Sequence, residues 1–385
     1  MSADWRAGGF GVYVHWPFCL SKCPYCDFNS HVAKGAVDHR RFAAALCAEL
    51  DAAAARTGPR TADTVFFGGG TPSLMAPETV EAVLARIAAL WGLAPSAEVT
   101  LEANPTSVEA AKLRAFAAAG VNRISMGAQA LNDADLAALG RTHSAAEARR
   151  AFDVARDAFA RVSFDLIYAR PGQTAEAWGA ELRAALAMAV DHLSLYQLTI
   201  EPGTRFAELH ARGRLRPPDD EAAAALWFLT QDVCAAAGMP AYEISNHARP
   251  GAESRHNLVY WRYGDYAGVG PGAHGRLTAP DGARSATVAV ADPAAWLAAV
   301  EARGDSVSET AVAPAEQAAE MVMMGMRLKE GIDLARHARL AGAPLEETRI
   351  APLAAEGLVE RRDGRLATTD RGRPLLDAIL RALLA

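Results

Sequence analysis

Cys19, Cys23 and Cys26 lie within eight residues, Cys19-Leu-Ser-Lys-Cys23-Pro-Tyr-Cys26, directly after the apolar stretch Gly11–His15. Thiolates are soft ligands, and three on one short loop point to a metal centre. A [4Fe-4S] cluster takes one thiolate per iron, so three thiolates leave its fourth iron open to an exogenous ligand. An open iron suits a cluster that binds and cleaves a small molecule rather than one that only relays electrons. Two other outcomes use the same residues. A structural zinc ion wants four N or S ligands, and only His15 and His31 are near enough in sequence to complete that set. A disulfide would pair two of the thiols and leave the third unpaired. Cys47 and Cys234 sit among small apolar residues in helical stretches and read as buried free thiols.

The elements that must position this loop alternate through the first two hundred residues. Strands are expected at Gly11–His15, Thr64–Gly68, Glu98–Glu102, Asn122–Met126, Val162–Ile167 and His192–Leu198. Alanine-rich helices are expected between them, at Asp38–Ala55, Pro77–Leu90, Ser107–Ala118, Ala145–Phe159 and Thr174–Ala189. Such alternation predicts βαβ units on a parallel sheet, here an open (β/α)6 part of a TIM-like barrel. Right-handed crossovers bring every strand's C-terminal end to one rim, where the sites of such barrels gather. Distinctive polar residues and glycines fall there: the cysteine loop, Gly68-Gly69-Gly70-Thr71, Glu102 with Asn104, Gln129, Asp165, and Gln197 with Thr199. Six rim positions from six strands form the candidate ligand site.

The run Tyr13-Val-His15-Trp-Pro17-Phe-Cys19, the C-x3-C-x2-C spacing and Cys26-Asp-Phe28-Asn-Ser together resemble the radical S-adenosylmethionine (SAM) family, in its coproporphyrinogen oxidase-like branch. The resemblance implies that the amino and carboxylate groups of SAM chelate the open iron. Reduction then gives methionine and a 5′-deoxyadenosyl radical, chemistry that belongs to the cofactor. It also implies SAM contacts at Tyr13, Tyr25, Gly69, Gly70, Thr71, Glu102, Gln129, Arg141 and Asp165. Two departures bear on the pocket shape. Relatives usually read Tyr-Gly-Leu-Pro where this chain has Tyr168-Ala169-Arg170-Pro171, and Trp16 stands where a smaller aliphatic is common.

Within that branch two functions compete. One is the oxygen-independent coproporphyrinogen III oxidase; the other is a haem chaperone that binds haem and passes it to an acceptor protein. The oxidase carries a further cysteine at the position of Phe28, and a long N-terminal extension where only twelve residues precede Tyr13. His256-Asn257-Leu-Val-Tyr260-Trp261 resembles the H-N-x-x-Y-W motif of the haem chaperones. Imidazole is a good axial ligand for haem iron, and Tyr260 and Trp261 offer flat apolar surface. The residue-level alternative is a histidine beside two core aromatics. The chaperone reading is the expectation, with [4Fe-4S] cluster, SAM and haem as cofactors, and an acceptor protein and an electron donor as partners.

Composition excludes other classes. The 385 residues are 51% hydrophobic and 22% charged, with a formal net charge of -6. That describes a soluble globular protein with no bulk electrostatic reason to bind nucleic acid or an anionic membrane. No apolar run reaches the length of a membrane span, and no signal-peptide core precedes Gly11, so a reducing cytoplasmic location is expected. Only four of the 39 basic residues are lysines.

Three regions are expected. Residues 1–202 form the barrel. Residues 203–312 form a connector and α/β extension, with a helix near Glu221–Ala237, a strand near Tyr242–Ser245 and a glycine-rich run Gly264–Gly275. Residues 313–385 form a winged-helix-like unit. Its stretch 331–385 carries nine Arg against eight acids, too balanced for a DNA-binding face. Met321, Met323, Met324 and Met326 read there as flexible core filler.

Overall fold

A computed structural model describes residues 4–106 and 110–385. The six expected parallel strands are present: β1 (Phe10–Trp16), β2 (Ala62–Gly69), β3 (Leu93–Ala103), β4 (Arg123–Gln129), β5 (Arg161–Tyr168) and β6 (His192–Gln197). They pair in sequence order, each parallel to the next. β1 is buried almost throughout, as a strand covered on both faces must be. The helices His39–Thr57, Pro77–Trp91, Ala145–Ala158 and Ala175–Met188 stand between the strands as expected. Their starts are chemically marked. Asp38 and Thr174 cap two of them, and Ser144 with Glu147 forms a capping box on a third. Residues 107–109 lie outside the described residues; the rest of the helix expected at Ser107–Ala118 narrows to Leu113–Ala118.

The sheet continues past these six strands. β7 (Asn246–Ala248) adds antiparallel to β6. At the other edge β8 (Asp265–Val269) lies parallel beside β1, followed by the antiparallel strands β9 (His274–Thr278), β10 (Arg284–Val288) and β11 (Ser308–Ala311). The chain beyond residue 202 thus returns to the barrel and gives β1 its second neighbour. β8 is held by chemistry at its first residue. The fully buried Asp265 carboxylate accepts from Arg60 Nη1 at 2.6 Å and from the Thr278 N–H at 2.6 Å, with Arg284 at 3.5 Å. Two buried guanidiniums on one buried carboxylate make that strand expensive to displace, because removing the carboxylate would leave both charges uncompensated.

The strand expected at Tyr242–Ser245 is a correction: those residues bend, and the strand begins at Asn246. The buried Glu243 side chain turns back to accept from the Ser245 N–H and from Asn246 Nδ2, both at 2.7 Å, which diverts the backbone from extended pairing. Cys234 is fully buried as expected, whereas Cys47 is half-buried, with Sγ 3.9 Å from the Ala82 carbonyl.

The C-terminal region has its own core. Ile332–Asp333, Arg365–Thr368 and Val359–Arg362 form a small antiparallel sheet in that spatial order. The helices Leu334–Ala341, Glu347–Ala355 and Leu376–Leu384 accompany it in a winged-helix-like arrangement. Met321 and Met326 fill this core, while Met323 is exposed. Arg336 ties the region to the N-terminus through Asp4 at 2.7 Å and to the carbonyls of Arg262 and Tyr263. Among the described residues no helix is long and apolar enough to cross a membrane.

Candidate functional site: a cysteine-lined cleft at the strand ends

The C-terminal ends of β1 to β5 open into a cleft. Its wall includes Cys19, Cys23, Cys26, Tyr25, Gly69, Gly70, Thr71, Glu102, Gln129, Arg141 and Asp165. Eleven of the twelve residues expected for the cluster and SAM therefore share one cavity. Tyr13, the twelfth, lies below it, its ring roughly parallel to Phe66 at 6.3 Å; burial, then the nearby Glu102 carboxylate, raises its pKa.

Each thiol meets a polar partner. Thr71 Oγ1 donates to Cys19 Sγ at 3.3 Å, Arg141 Nη1 donates to Cys23 Sγ at 3.3 Å, and Cys26 Sγ lies 3.7 Å from Ser30 Oγ. Burial pushes the Cys19 thiol up, and the nearness of Cys26 and Cys23 adds to that against the Thr71 bond. Bound to a cluster the three would be thiolates, their mutual repulsion neutralised by cationic iron. Hydrogen bonds to sulfur are also what tunes an iron–sulfur cluster. The donor set fits a three-thiolate [4Fe-4S] cluster.

The loop that carries these thiols is fixed from below. Tyr13 O–H meets His15 Nδ1 at 3.0 Å, and His15 Nε2 reaches the Asn29 carbonyl at 2.9 Å. A carbonyl only accepts, so His15 holds its proton on Nε2 and accepts from Tyr13. Gly69 has φ +108°, and a Cβ there would stand 2.5 Å from the His15 ring; only glycine lets the two segments meet. On the opposite wall Gly140, at φ +68°, packs on Pro24, where a Cβ would come within 2.5 Å of Cδ. That contact delivers Arg141 to the cysteine loop.

Arg141 is the hub of the cleft. Besides Cys23 it donates to Asn104 Oδ1 at 2.6 Å and to the Gly127 carbonyl at 2.9 Å, and Asn104 Nδ2 donates to Thr71 Oγ1 at 3.1 Å. Glu102 accepts from the Gly69 N–H at 3.3 Å, and Asp165 accepts from Ser125 Oγ at 3.4 Å. Burial, reinforced by Asp165, pushes the Glu102 carboxyl up to about 8; burial pushes Asp165 up to about 6. Such a paired-acid floor holds a proton at neutral pH and is ready to accept hydrogen bonds from a ligand's hydroxyl or ammonium groups. Sequence reasoning missed Ser125, which pairing across the sheet places inside β4, and Asn29, which is placed by bonds to the Pro271 and Ala291 carbonyls; no local pattern displays either.

The two departures from the family pattern turn away from the cleft. Arg170 is buried against Glu181 and Asp135 and donates to the Ile167 carbonyl at 2.8 Å. Ala169, at φ +57°, occupies the left-handed position that glycine takes without steric cost. Trp16 is fully buried and stacks on His39, with ring centroids 5.4 Å apart.

The expected haem residues lie at the other end of the barrel. His256, Asn257, Tyr260 and Trp261 are on the short helix Arg255–Trp261. The His256 ring enters the barrel beneath the cleft: Nδ1 is 2.8 Å from Thr64 Oγ1, Nε2 is 2.6 Å from the Tyr260 hydroxyl, and Phe66 stacks on it at 5.1 Å. The His256 N–H donates to Glu98 Oε1 at 3.2 Å. Burial, then Arg123, lowers its pKa to about 3, so the ring is neutral. Trp261 is half-buried, with the Arg327 guanidinium 4.5 Å above its ring. To serve as an axial ligand, His256 would have to give up a ring hydrogen bond and leave the barrel floor.

The profile of the Radical SAM superfamily matches residues 13–185, and that of the HemN C-terminal domain matches residues 312–375. The heme chaperone HemW of Mycobacterium tuberculosis is 39% identical over 97% of this chain and 95% of its own. HemW of Escherichia coli is 44% identical over 70% of this chain and 71% of its own. The bovine mitochondrial radical S-adenosyl methionine domain-containing protein 1 is 43% identical over 83% and 74%. Among solved structures, coproporphyrinogen III oxidase (HemN) from Escherichia coli superposes with a TM-score of 0.81 at 22% identity, covering 100% of this chain and 93% of that one; this shows a shared fold. The chain belongs to the radical SAM superfamily, in the group that contains the HemW haem chaperones.

Proposed function

We propose that this protein is a haem chaperone: it binds haem, holds a [4Fe-4S] cluster on Cys19, Cys23 and Cys26 with SAM in the adjoining cleft, and hands haem to an acceptor protein. The observation that carries this reading is the near end-to-end likeness to a protein named for that activity, at 39% identity. The cluster supplies one-electron chemistry to bound SAM. This chain's own residues do the holding. Arg141 is placed to meet a carboxylate, the Gly69–Gly70 backbone lets the ligand's amino-acid end come close, and Glu102 with Asp165 offers acceptors for its ribose.

Phe28 supports the same reading, since the oxidase alternative uses a thiol where this chain has a phenyl ring. An electron donor to the cluster and a haem-protein acceptor complete the proposed set of partners. The Arg255–Trp261 helix enters this proposal as the floor of the barrel, with Trp261 at its outer end. The test is anaerobic. Reconstituted protein is expected to bind haem about one to one and release it to an apo-haem protein. It is expected to release no CO2 from coproporphyrinogen III with SAM and reductant. Vigorous decarboxylation would replace the chaperone reading with the oxidase.

A further inference from the structure

We infer that haem docks on the outer face of the cysteine loop, with His274 as the ligand to its iron; this rests on the haem-chaperone reading above. Haem makes three demands at once: apolar surface for the macrocycle, cations for two propionates, and a nitrogen or sulfur ligand for the iron. The segment Leu20–Lys34 and the start of β9 meet all three at the rim of the SAM cleft, which Leu20, Lys22 and Phe28 also line.

The apolar part is conspicuous. Leu20, Phe28 and Val32 are 62%, 56% and 46% exposed, an unusual concentration of large bare side chains on one loop. Leu20 and Phe28 stand at the mouth of the cleft, and Val32 is held beside them by the pairing of Cys19 with Val32. The cations come from Lys22 and Lys34, both exposed and half of all the lysines in the chain, against the single acid Asp27. The surface therefore complements an amphiphilic dianion.

The choice of histidine follows from the hydrogen bonds. Asn29 Nδ2 donates to the Pro271 and Ala291 carbonyls, both at 2.9 Å, so its Oδ1 faces His31 and accepts from Nε2 at 3.0 Å. The Nε2 of His31 is thereby tied to the loop, leaving that half-buried ring only its Nδ1, and His256 is bonded at both nitrogens in the interior. His274 differs. It is exposed, and among the described residues neither ring nitrogen has a hydrogen-bond partner. It opens β9 two residues after Gly272, which packs against Asn29 so closely that a Cβ would come within 2.4 Å of Nδ2. His274 and His31 both act electrostatically on the buried His15, which places them at the same corner. Val288, 38% exposed, pairs directly with His274 across the ladder and shares its face, extending the apolar surface.

Haem titration of the full-length protein, followed in the Soret band, tests this. His274→Ala is expected to weaken haem binding by at least about tenfold and to shift the Soret maximum, with added imidazole restoring the band. Leu20→Ser with Phe28→Ser is expected to weaken binding several-fold with the maximum unmoved, because the iron ligand remains. His31→Ala is expected to keep the wild-type spectrum. Melting temperature and iron content, measured on each variant, separate a lost site from a lost fold. Wild-type affinity and spectrum in His274→Ala would overturn the assignment while leaving the chaperone reading intact. Absence of haem binding by the wild type would overturn the reading on which it rests.

Discussion

Arg141 donates to Cys23 Sγ and to Asn104 Oδ1 with the two ends of one guanidinium, joining the cysteine loop to the end of β3. A lysine at this position keeps the charge but cannot make three planar contacts. Arg141→Lys is therefore expected to retain iron and to weaken SAM binding by about tenfold or more, about 1.4 kcal/mol. Titration of SAM into reconstituted protein, followed by the change in cluster electron paramagnetic resonance, checks this. An unchanged affinity would show that Arg141 serves the loop alone.

The thiols divide into two groups by position. Cys19→Ser, Cys23→Ser and Cys26→Ser are each expected to abolish or cripple cluster binding, whereas Cys47→Ser and Cys234→Ser keep wild-type iron and sulfide. Comparable iron loss from Cys234→Ser would contradict the assignment, since that thiol is sealed in the core.

The acid pair gives the cleft a pH signature. A carboxyl raised from 4.5 to about 8 holds its proton in the folded state where the unfolded chain has released it. Stability without ligand therefore falls as pH rises from about 4.5 through about 8, and is level above that. Glu102→Gln removes the effect. Its melting temperature is expected to gain on the wild type progressively between pH 5 and pH 8.5, and its SAM affinity to fall. A difference independent of pH would mean that Glu102 is not the titrating group.

His256 titrates with the opposite sense. Its depressed pKa means that the unfolded chain takes up a proton below pH 6.5 and the folded chain does not until about pH 3, so stability falls as acid is added across that interval. His256→Ala removes a buried ring and strips Thr64 and Tyr260 of their shared partner. The expected cost is about 2–5 kcal/mol by chemical denaturation. A variant with wild-type stability would show that the barrel floor does not depend on this ring.

Much of the barrel was legible because its strands are apolar runs ended by polar or glycine residues, as Gly11–His15 runs into the cysteine loop and Glu98–Glu102 into Asn104. The same rule placed most of the cleft residues, since strand ends share a rim whatever lies between them; Arg141, beyond the end of β4, is reached only through the family resemblance, and Gln197 and Thr199 at the end of β6 do not line the cleft. β8 escaped because Asp265-Tyr-Ala-Gly-Val opens with a charge and contains a glycine. That charge is countered by Arg60, more than two hundred residues earlier. His256 shows the complementary limit. Its residue type and spacing admit both a haem ligand and a core ring. The partners that hold it in the interior, Thr64 and Glu98, belong to strands far away in sequence.

Asn29 also sets a clock on assembly. The carbonyls that hold its side chain belong to Pro271 and Ala291, 242 and 262 positions further along the chain, and β1 gains its outer neighbour only when Asp265–Val269 has been made. A nascent chain that has just emerged with its three cysteines lacks the clamp that shapes their loop. The native shape of that loop is thus completed only by residues from the last third of the chain.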